Sequence, residues 1–189
     1  MMHDVFFRKA ELTDQADIAH IFAHAYRHEF LALTKNMDKI VAVFKEGINT
    51  DTFFVAQRGG KLVAIASVST HLTRAACIDK AQCKKVLGFL KGSIFGNIAT
   101  KLFNTPVATD HTTGYIEFVA VDALARGQGL SGKLMQHIIQ NTAHTRYILD
   151  VRSDNTPAVK TYQKLGFTEF KKEKLKKNVD KIFMEWVRG

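Results

Sequence analysis

The sequence predicts an α/β fold in one domain spanning residues 1–189, and three features carry that expectation. Strand-like and helix-like stretches alternate along the chain, two neighbouring strands are joined by a glycine turn, and a glycine-rich loop leads from a strand into a helix. A length of 189 residues with 46% hydrophobic and 24% charged content suffices for one domain with a full core. No internal repeat or low-complexity linker divides it.

VFFRKA (5–10) reads as a strand. Thr13 can cap a helix running to about Phe30, with Ile18, Ile21, Phe22 and Ala25 on one face, and a helix of mixed pattern follows through Phe44. FFVAQ and LVAIASVST flank Arg58, Gly59 and Gly60, a β-hairpin signal over residues 53–70. Residues 71–113 are lysine-rich and interrupted by glycines, and Leu87, Leu90, Ile94, Ile98 and Leu102 recur at the spacing of a helix. That stripe is expected to pack on the sheet or on the first helices, leaving Lys84, Lys85, Lys91 and Lys101 toward solvent or the mouth of a cleft. GYIEFVAV (114–121) is a strand, the glycine loop opens a helix to about Ala143, and RYILDV (146–151) is another strand. A short helix then fits SDNTPAVKTYQKLGF (153–167), with Thr156 as cap, Pro157 in the first turn and Gly166 as the left-handed residue that ends it. FTEF and KIFMEWV form a last strand pair, and KKEKLKK (171–177) between them reads as a solvated hairpin.

Several function classes fall away on composition. Cys77 and Cys83 lack CxxC spacing and the eight histidines form no HExxH-like cluster, so reduced thiols and no metal site are expected. No run of roughly 18 apolar residues exists, and MMHDVFFRKAELTD lacks the order of a signal peptide, so a cytoplasmic location is expected. The net charge of +9 fits a nucleic acid, a membrane surface or an anionic cofactor. No zinc-finger, RNP or helix-turn-helix pattern accompanies it, so no nucleic-acid partner is expected, and a membrane partner is disfavoured.

The loop RGQGLSGKLMQHII (126–139) admits three readings. Gly127, Gly132 and Lys133 spell a P-loop, but Leu134 stands where the Mg²⁺-binding hydroxyl belongs, and too little chain follows for the βα units of that fold. Gly127, Gly129 and Gly132 spell a dinucleotide fingerprint, but Asp122 to Arg126 intervene between the strand and the first glycine. The third reading is Arg-x-x-Gly-x-small, which receives the pyrophosphate of coenzyme A. A helix start leaves four N–H groups unpartnered and carries about half a positive charge, so it attracts an anion. Gly127 and Gly129 let the backbone approach phosphate oxygens, while Arg126 and Ser131 add donors.

The third reading also accounts for the flanks. VAVDALARGQGLSGKLM and LDVRSDNTPAVKTYQKLGF together resemble the two sequence signatures of the GNAT superfamily of N-acetyltransferases, a resemblance carried by about residues 115–170. Two positions depart from the pattern: Ser131 stands where Gly or Ala is usual, and Ala123 replaces a frequent proline. The resemblance implies a mixed, mostly antiparallel sheet split at strands 4 and 5 and flanked by helices. It implies acetyl-CoA as cofactor, held by Arg126, Gly127, Gln128, Gly129, Leu130, Ser131 and Gly132, with Val119 and Val121 pairing the pantetheine arm and Asn155 bonding to it. It also makes residues 71–113 a helical insert in a single GNAT domain, since the family's third and fourth strands are commonly joined by a short turn.

Acetyl transfer to an amine needs a base for the ammonium proton, a donor for the thioester carbonyl and an acid for the departing sulfur. Tyr162 matches the family's tyrosine and is the expected acid; aromatic packing under its helix is the plainer role. Glu117 is the expected base. Strand alternation puts it on one face with Tyr115 and Val119, opposite Ile116, Phe118 and Ala120. An ion pair with a lysine of residues 71–113 would also account for a carboxylate in so apolar a strand. A backbone N–H near Val119 or Ala120 is the expected carbonyl donor, and Asp150 with Arg152 suits either a site role or simple pairing. The function read from the chain is direct acetyl transfer to a primary amine of a small molecule or peptide; the alternative is an acyl-CoA-binding module that transfers nothing. The acceptor is expected to carry a carboxylate or an apolar body beside its amine, a homodimer is compatible, and a membrane-surface role for the basic stripe is the alternative use of residues 71–113.

Overall fold

The computed structural model describes residues 4–107 and 110–189, so the first three residues of the N-terminal stretch and positions 108–109 of the basic segment lie outside the described residues. Seven strands form one sheet: β1 (Val5–Lys9), β2 (Phe53–Arg58), β3 (Lys61–Ser69), β4 (Thr113–Val121), β5 (Arg146–Arg152), β6 (Thr168–Lys176) and β7 (Val179–Val187), in the order β1-β2-β3-β4-β5-β7-β6. All neighbours are antiparallel except β4 and β5, which run parallel. That parallel pair is joined only over Thr113–Tyr115 and Arg146–Ile148, beyond which the two strands diverge and split the sheet.

Helices cover both faces. On one side lie α1 (Gln15–Ala25), α2 (Arg27–Phe30), α3 (Met37–Phe44), α4 (Lys80–Leu87) and α5 (Phe89–Phe103); on the other lie α6 (Leu130–Asn141) and α7 (Thr156–Lys164). Alternation along the strands feeds two cores. Val55 and Ile65 join Ile18, Phe22 and Phe44 on the first side, while Ala64, Ala66 and Ile116 join Leu134, Met135 and Ile138 on the second. Burying each Val, Leu, Ile, Phe or Met side chain among them contributes roughly 1.5–3 kcal/mol, so both layers are strongly held to the sheet.

Local chemistry explains most boundaries. Gly59 and Gly60 both take positive φ, 54° and 79°, as a tight hairpin turn requires. The first helix starts at Gln15 after a turn closed by Glu11 and Asp14, with Thr13 inside that turn rather than capping, and it breaks at Tyr26 instead of running to Phe30. The cap of α7 is Asn155, whose side chain accepts from the Ala158 N–H, not Thr156, and Gly166 (φ 91°) follows its end. The KKEKLKK segment lies on the edge hairpin β6–β7, every residue of β6 exposed, with Lys171, Lys172 and Lys174 paired to Glu173, Glu169 and Asp180.

The apolar stripe of residues 71–113 is corrected. Only Leu87 is buried; Leu90, Ile94, Ile98 and Leu102 are 75%, 65%, 62% and 60% exposed. The packed face of α5 is built from Gly92, Gly96 and Ala99, with Phe95 and Phe103 beside them. Gly92 lies so close to α4 that a Cβ there would stand 2.3 Å from the Cys83 carbonyl oxygen and 2.5 Å from the Lys84 Cα. Small residues let two helices approach; the larger side chains of α5 are thereby turned outward.

Candidate active site

The divergence of β4 and β5 is sharpened by a bulge in β4. Ile65 pairs with Ala120 and Ser67 with Glu117, so Phe118 and Val119 together oppose Ala66. Phe118 takes φ 56°, a conformation that costs an aromatic residue on the order of 1–3 kcal/mol and persists only where its surroundings enforce it. Rings of Phe22, Phe53 and Phe103 surround it at centroid distances of 4.7, 5.6 and 5.8 Å. The bulge shifts the side-chain phase. Ile116 faces the α6 side and Phe118 the α1 side, while Val119 falls back toward α6, so simple alternation of Tyr115, Glu117 and Val119 against Ile116, Phe118 and Ala120 does not hold. The half-buried Tyr26, at the break between α1 and α2, donates from its hydroxyl to the Val119 carbonyl at 3.3 Å and so braces the bulge.

Glu117 lies on the α1 and α5 side with its side chain 14% exposed. One carboxylate oxygen accepts from the Ser69 hydroxyl, and the other meets Arg74 Nη2 at 3.2 Å. Arg74 belongs to the stretch from which a lysine partner was expected. It is an arginine whose guanidinium also donates to the Phe103 and Leu102 carbonyls, so it ties the C-terminal end of α5 to the site. Burial pushes the Glu117 carboxyl up, opposed by the Ser69 hydrogen bond and the Arg74 charge.

Tyr162 sits on α7, 7% exposed, its ring 6.1 Å from that of Phe167. Burial, and then the charge of Asp150, push its phenol up to about 12, so it stays protonated. Burial pushes the Tyr26 phenol up, and Tyr162, Asp150, Glu117 and Glu29 act on it in the same direction. Asp150 accepts from the Tyr115 hydroxyl and lies 3.5 Å from Lys181, and the more exposed Arg152 pairs with Asp154 and Glu29. Simple pairing accounts for both.

The loop before α6 completes the picture. Gly127 and Gly129 have φ of 78° and 68°, and a Cβ on either would point into open space. Gly129 is the N-cap of α6, so the first N–H groups of an amphipathic twelve-residue helix face that space. Gly132 differs: a Cβ there would touch Thr161 of α7 at 3.4 Å, so it serves helix packing. Arg126 and Gln128 are exposed, Arg126 Nε donating to the Val121 carbonyl and Gln128 accepting from Arg58. Leu130 is buried under the loop and Ser131 half-buried beside it. A small cleft lined by His20, His24, Val121, Asp122 and Arg126 opens alongside, between α1 and the end of β4. The Asn155 side-chain oxygen is engaged in its cap, at 3.4 Å from the Ala158 N–H.

Of the residues expected from sequence, Glu117 is held on β4 by Ser69 and Arg74, Tyr162 belongs to the core on the α6 and α7 side, and Arg126–Gly132 follow the end of β4 where it has parted from β5. Tyr26, Ser69 and Arg74 were not anticipated. Nothing in their local sequence marks them, because each acts through a contact between distant segments.

A sequence model of the acetyltransferase (GNAT) family matches residues 15–167. The 5-NmdU N-acetyltransferase of Pseudomonas phage PaMx11 is 43% identical over 51 residues, 27% of this chain and 36% of that protein. N-alpha-acetyltransferase 30 of Schizosaccharomyces pombe is 34% identical over 62 residues, 31% of this chain and 41% of that one. The matched stretch thus spans well under half the length of either curated relative. Among solved structures, an N-acetyltransferase from Staphylococcus aureus Mu50 aligns with a TM-score of 0.65 at 18% identity, over 96% of this chain and all of that one. The yncA protein of Salmonella typhimurium, solved with its cofactor acetyl-CoA, aligns with a TM-score of 0.57 at 18% identity over 97% and 93% of the two chains. At these identities the structural likeness speaks for the fold.

Proposed function

From the premise that the chain belongs to the acetyltransferase (GNAT) family, we propose that it is an N-acetyltransferase that moves an acetyl group from acetyl-CoA to a primary amine of a small molecule or peptide. The observation that carries this reading is the sheet split beside a bulged β4, with an open glycine-lined helix start at its wide end. These residues fit coenzyme A. The Arg126–Gly132 loop offers N–H groups and a cation to the pyrophosphate, and the edge of β4 at Val119, Ala120 and Val121, freed by the divergence, offers backbone groups to the pantetheine amides. Asn155, with its amide nitrogen still free to donate, would meet the same arm.

Bound acetyl-CoA supplies an activated thioester. Glu117, buried and therefore more basic than an ordinary glutamate, takes the proton from the amine, directly or through water. A backbone N–H near Val119 or Ala120, beside the bulge, donates to the carbonyl oxygen. Tyr162, held protonated by burial, donates toward the departing sulfur. An amine acceptor agrees with the N-acetyltransferase names of both curated relatives.

One observation favours a module that binds acyl-CoA without transfer: both Glu117 oxygens already have partners in Ser69 and Arg74. Thiol-release assays over a panel of amines and short peptides separate the two. Transfer predicts turnover with at least one amine and a Tyr162→Phe rate lower by about 10²–10⁴, with acetyl-CoA affinity nearly unchanged. Acetyl-CoA binding without turnover on any acceptor would leave the binding module as the correct reading, whereas turnover with parental rates in both Tyr162→Phe and Glu117→Gln would overturn the acid and base roles.

A further inference from the structure

α5 presents five large apolar side chains to solvent: Phe89, Leu90, Ile94, Ile98 and Leu102, each at least 60% exposed. They run from one end of the fifteen-residue helix to the other, a row about 20 Å long. So many exposed large apolar side chains on one element mark an interaction surface. Its surroundings select the partner. Residues 80–107 contain five lysines, Lys80, Lys84, Lys85, Lys91 and Lys101, and no Asp or Glu. All five are exposed and none forms an ion pair among the described residues, whereas Lys171, Lys172 and Lys174 of β6 are paired with carboxylates of their own hairpin. Lys84 stands over the Phe89 ring at 5.6 Å, and Lys91 and Lys101 directly adjoin Leu90 and Leu102 in the chain.

We propose that the outer face of α5 with the α4 lysines is a docking surface for an anionic lipid bilayer, on which the helix lies flat with its apolar row among the acyl chains and its lysines against the headgroup phosphates. Unneutralised cations flanking an apolar row are what such an interface requires, because the two attractions add. The same charge opposes pairing with a second copy of a chain that carries +9. The helix lies on the surface and does not cross it: no helix among the described residues is long and apolar enough to span a membrane. The inference stands on the packing of α5 and not on acetyl transfer. It also gives the glycine spine of α5 a purpose, since Gly92 and Gly96 anchor the helix to the protein and leave the large side chains free.

The test is cosedimentation of the full chain with vesicles of phosphatidylglycerol and phosphatidylcholine, and with vesicles of phosphatidylcholine alone. Binding is expected on the anionic vesicles, weaker on the neutral ones and falling with salt. Lys84→Glu, Lys85→Glu and Lys101→Glu together should lower it on the order of a hundredfold, given roughly fivefold for each lysine at such a surface. Ile94→Glu with Ile98→Glu should lower it at least tenfold, and Ile94→Ser with Ile98→Ser by a smaller factor. Melting temperatures should stay at the parent value, since the altered side chains are exposed. No sedimentation with anionic vesicles at low salt, or sedimentation indifferent to these variants, overturns the proposal. So does a dimer in sedimentation velocity that Ile94→Glu with Ile98→Glu dissolves while vesicles remain unbound.

Discussion

Gly92→Ala adds one methyl group to α5, and the structure fixes what that methyl meets. Its Cβ would stand 2.3 Å from the Cys83 carbonyl oxygen, 2.5 Å from the Lys84 Cα and 2.6 Å from the Cys83 carbonyl carbon, all backbone atoms of α4 that no rotamer can move aside. Relief requires the helices to separate by about an ångström, at an overpacking cost of roughly 1–3 kcal/mol plus lost contacts, against a gain of about 1 kcal/mol from alanine's better helix propensity. The net expectation is destabilisation of about 1–2 kcal/mol, or roughly 2–8 °C in melting temperature for a chain of this size. Gly96→Ala is the control. Its Cβ would find Cys83 Cβ and Lys80 Cα at 3.4 Å, ordinary contact, so the propensity gain prevails and the melting temperature should hold or rise slightly. Differential scanning calorimetry of the two variants checks this. Equal stability of Gly92→Ala and the parent, or equal losses in both variants, would refute the account of α5 packing and with it the reason for the exposed row.

Other expectations follow from the site. If Glu117 is the base, kcat/KM should rise with pH through a limb above the ordinary glutamate range, because burial favours its protonated form; Arg74→Met, which removes an opposing charge, should move that limb to still higher pH. The Tyr162 phenol, pushed up to about 12, should add no alkaline limb below that pH, as read from the same profiles. Asp14→Asn should cost about 1–2 kcal/mol near pH 7 in urea titrations, since Asp14 accepts two bonds from Arg8 at 2.6 and 2.9 Å and one from the Glu11 N–H. Arg8, above all, holds the Asp14 carboxyl below the usual aspartate range. Its contribution is therefore present above the unfolded value and fades as pH falls through the folded one, where variant and parent should converge.

Much of the architecture was legible because it is written in local chemistry. Gly59 and Gly60 announce the hairpin, and Gly127 and Gly129 a strand-to-helix turn with positive φ. Pro157 and Gly166 bracket α7, and apolar alternation marks the inner strands. What failed did so where distant segments decide. The stripe of Leu90, Ile94, Ile98 and Leu102 has the periodicity of a buried face, but Gly92 and Gly96, which periodicity ignores, make the closer contact and take that role. The bulge at Phe118 has no glycine to signal it; a cage of Phe22, Phe53 and Phe103 imposes it from three other elements. Arg74 and Ser69 meet Glu117 across 43 and 48 residues of chain, a separation at which sequence pattern carries no information. Family signatures singled out the loop and Tyr162 as candidates, while the partners that hold Glu117 required the fold.

The central claim is that the open helix start after β4 receives the pyrophosphate of acetyl-CoA. Gly129→Asp bears on it most directly, because the position lies in open space at φ 68°, where aspartate is tolerated better than most side chains, and the new carboxylate would face the anion. Isothermal titration calorimetry of acetyl-CoA into parent and variant should show binding by the parent, weakened at least tenfold in Gly129→Asp, with a melting temperature lowered by only a few degrees. Equal affinity in the two proteins, or a parent that binds ATP or NAD and not acetyl-CoA, would contradict the account.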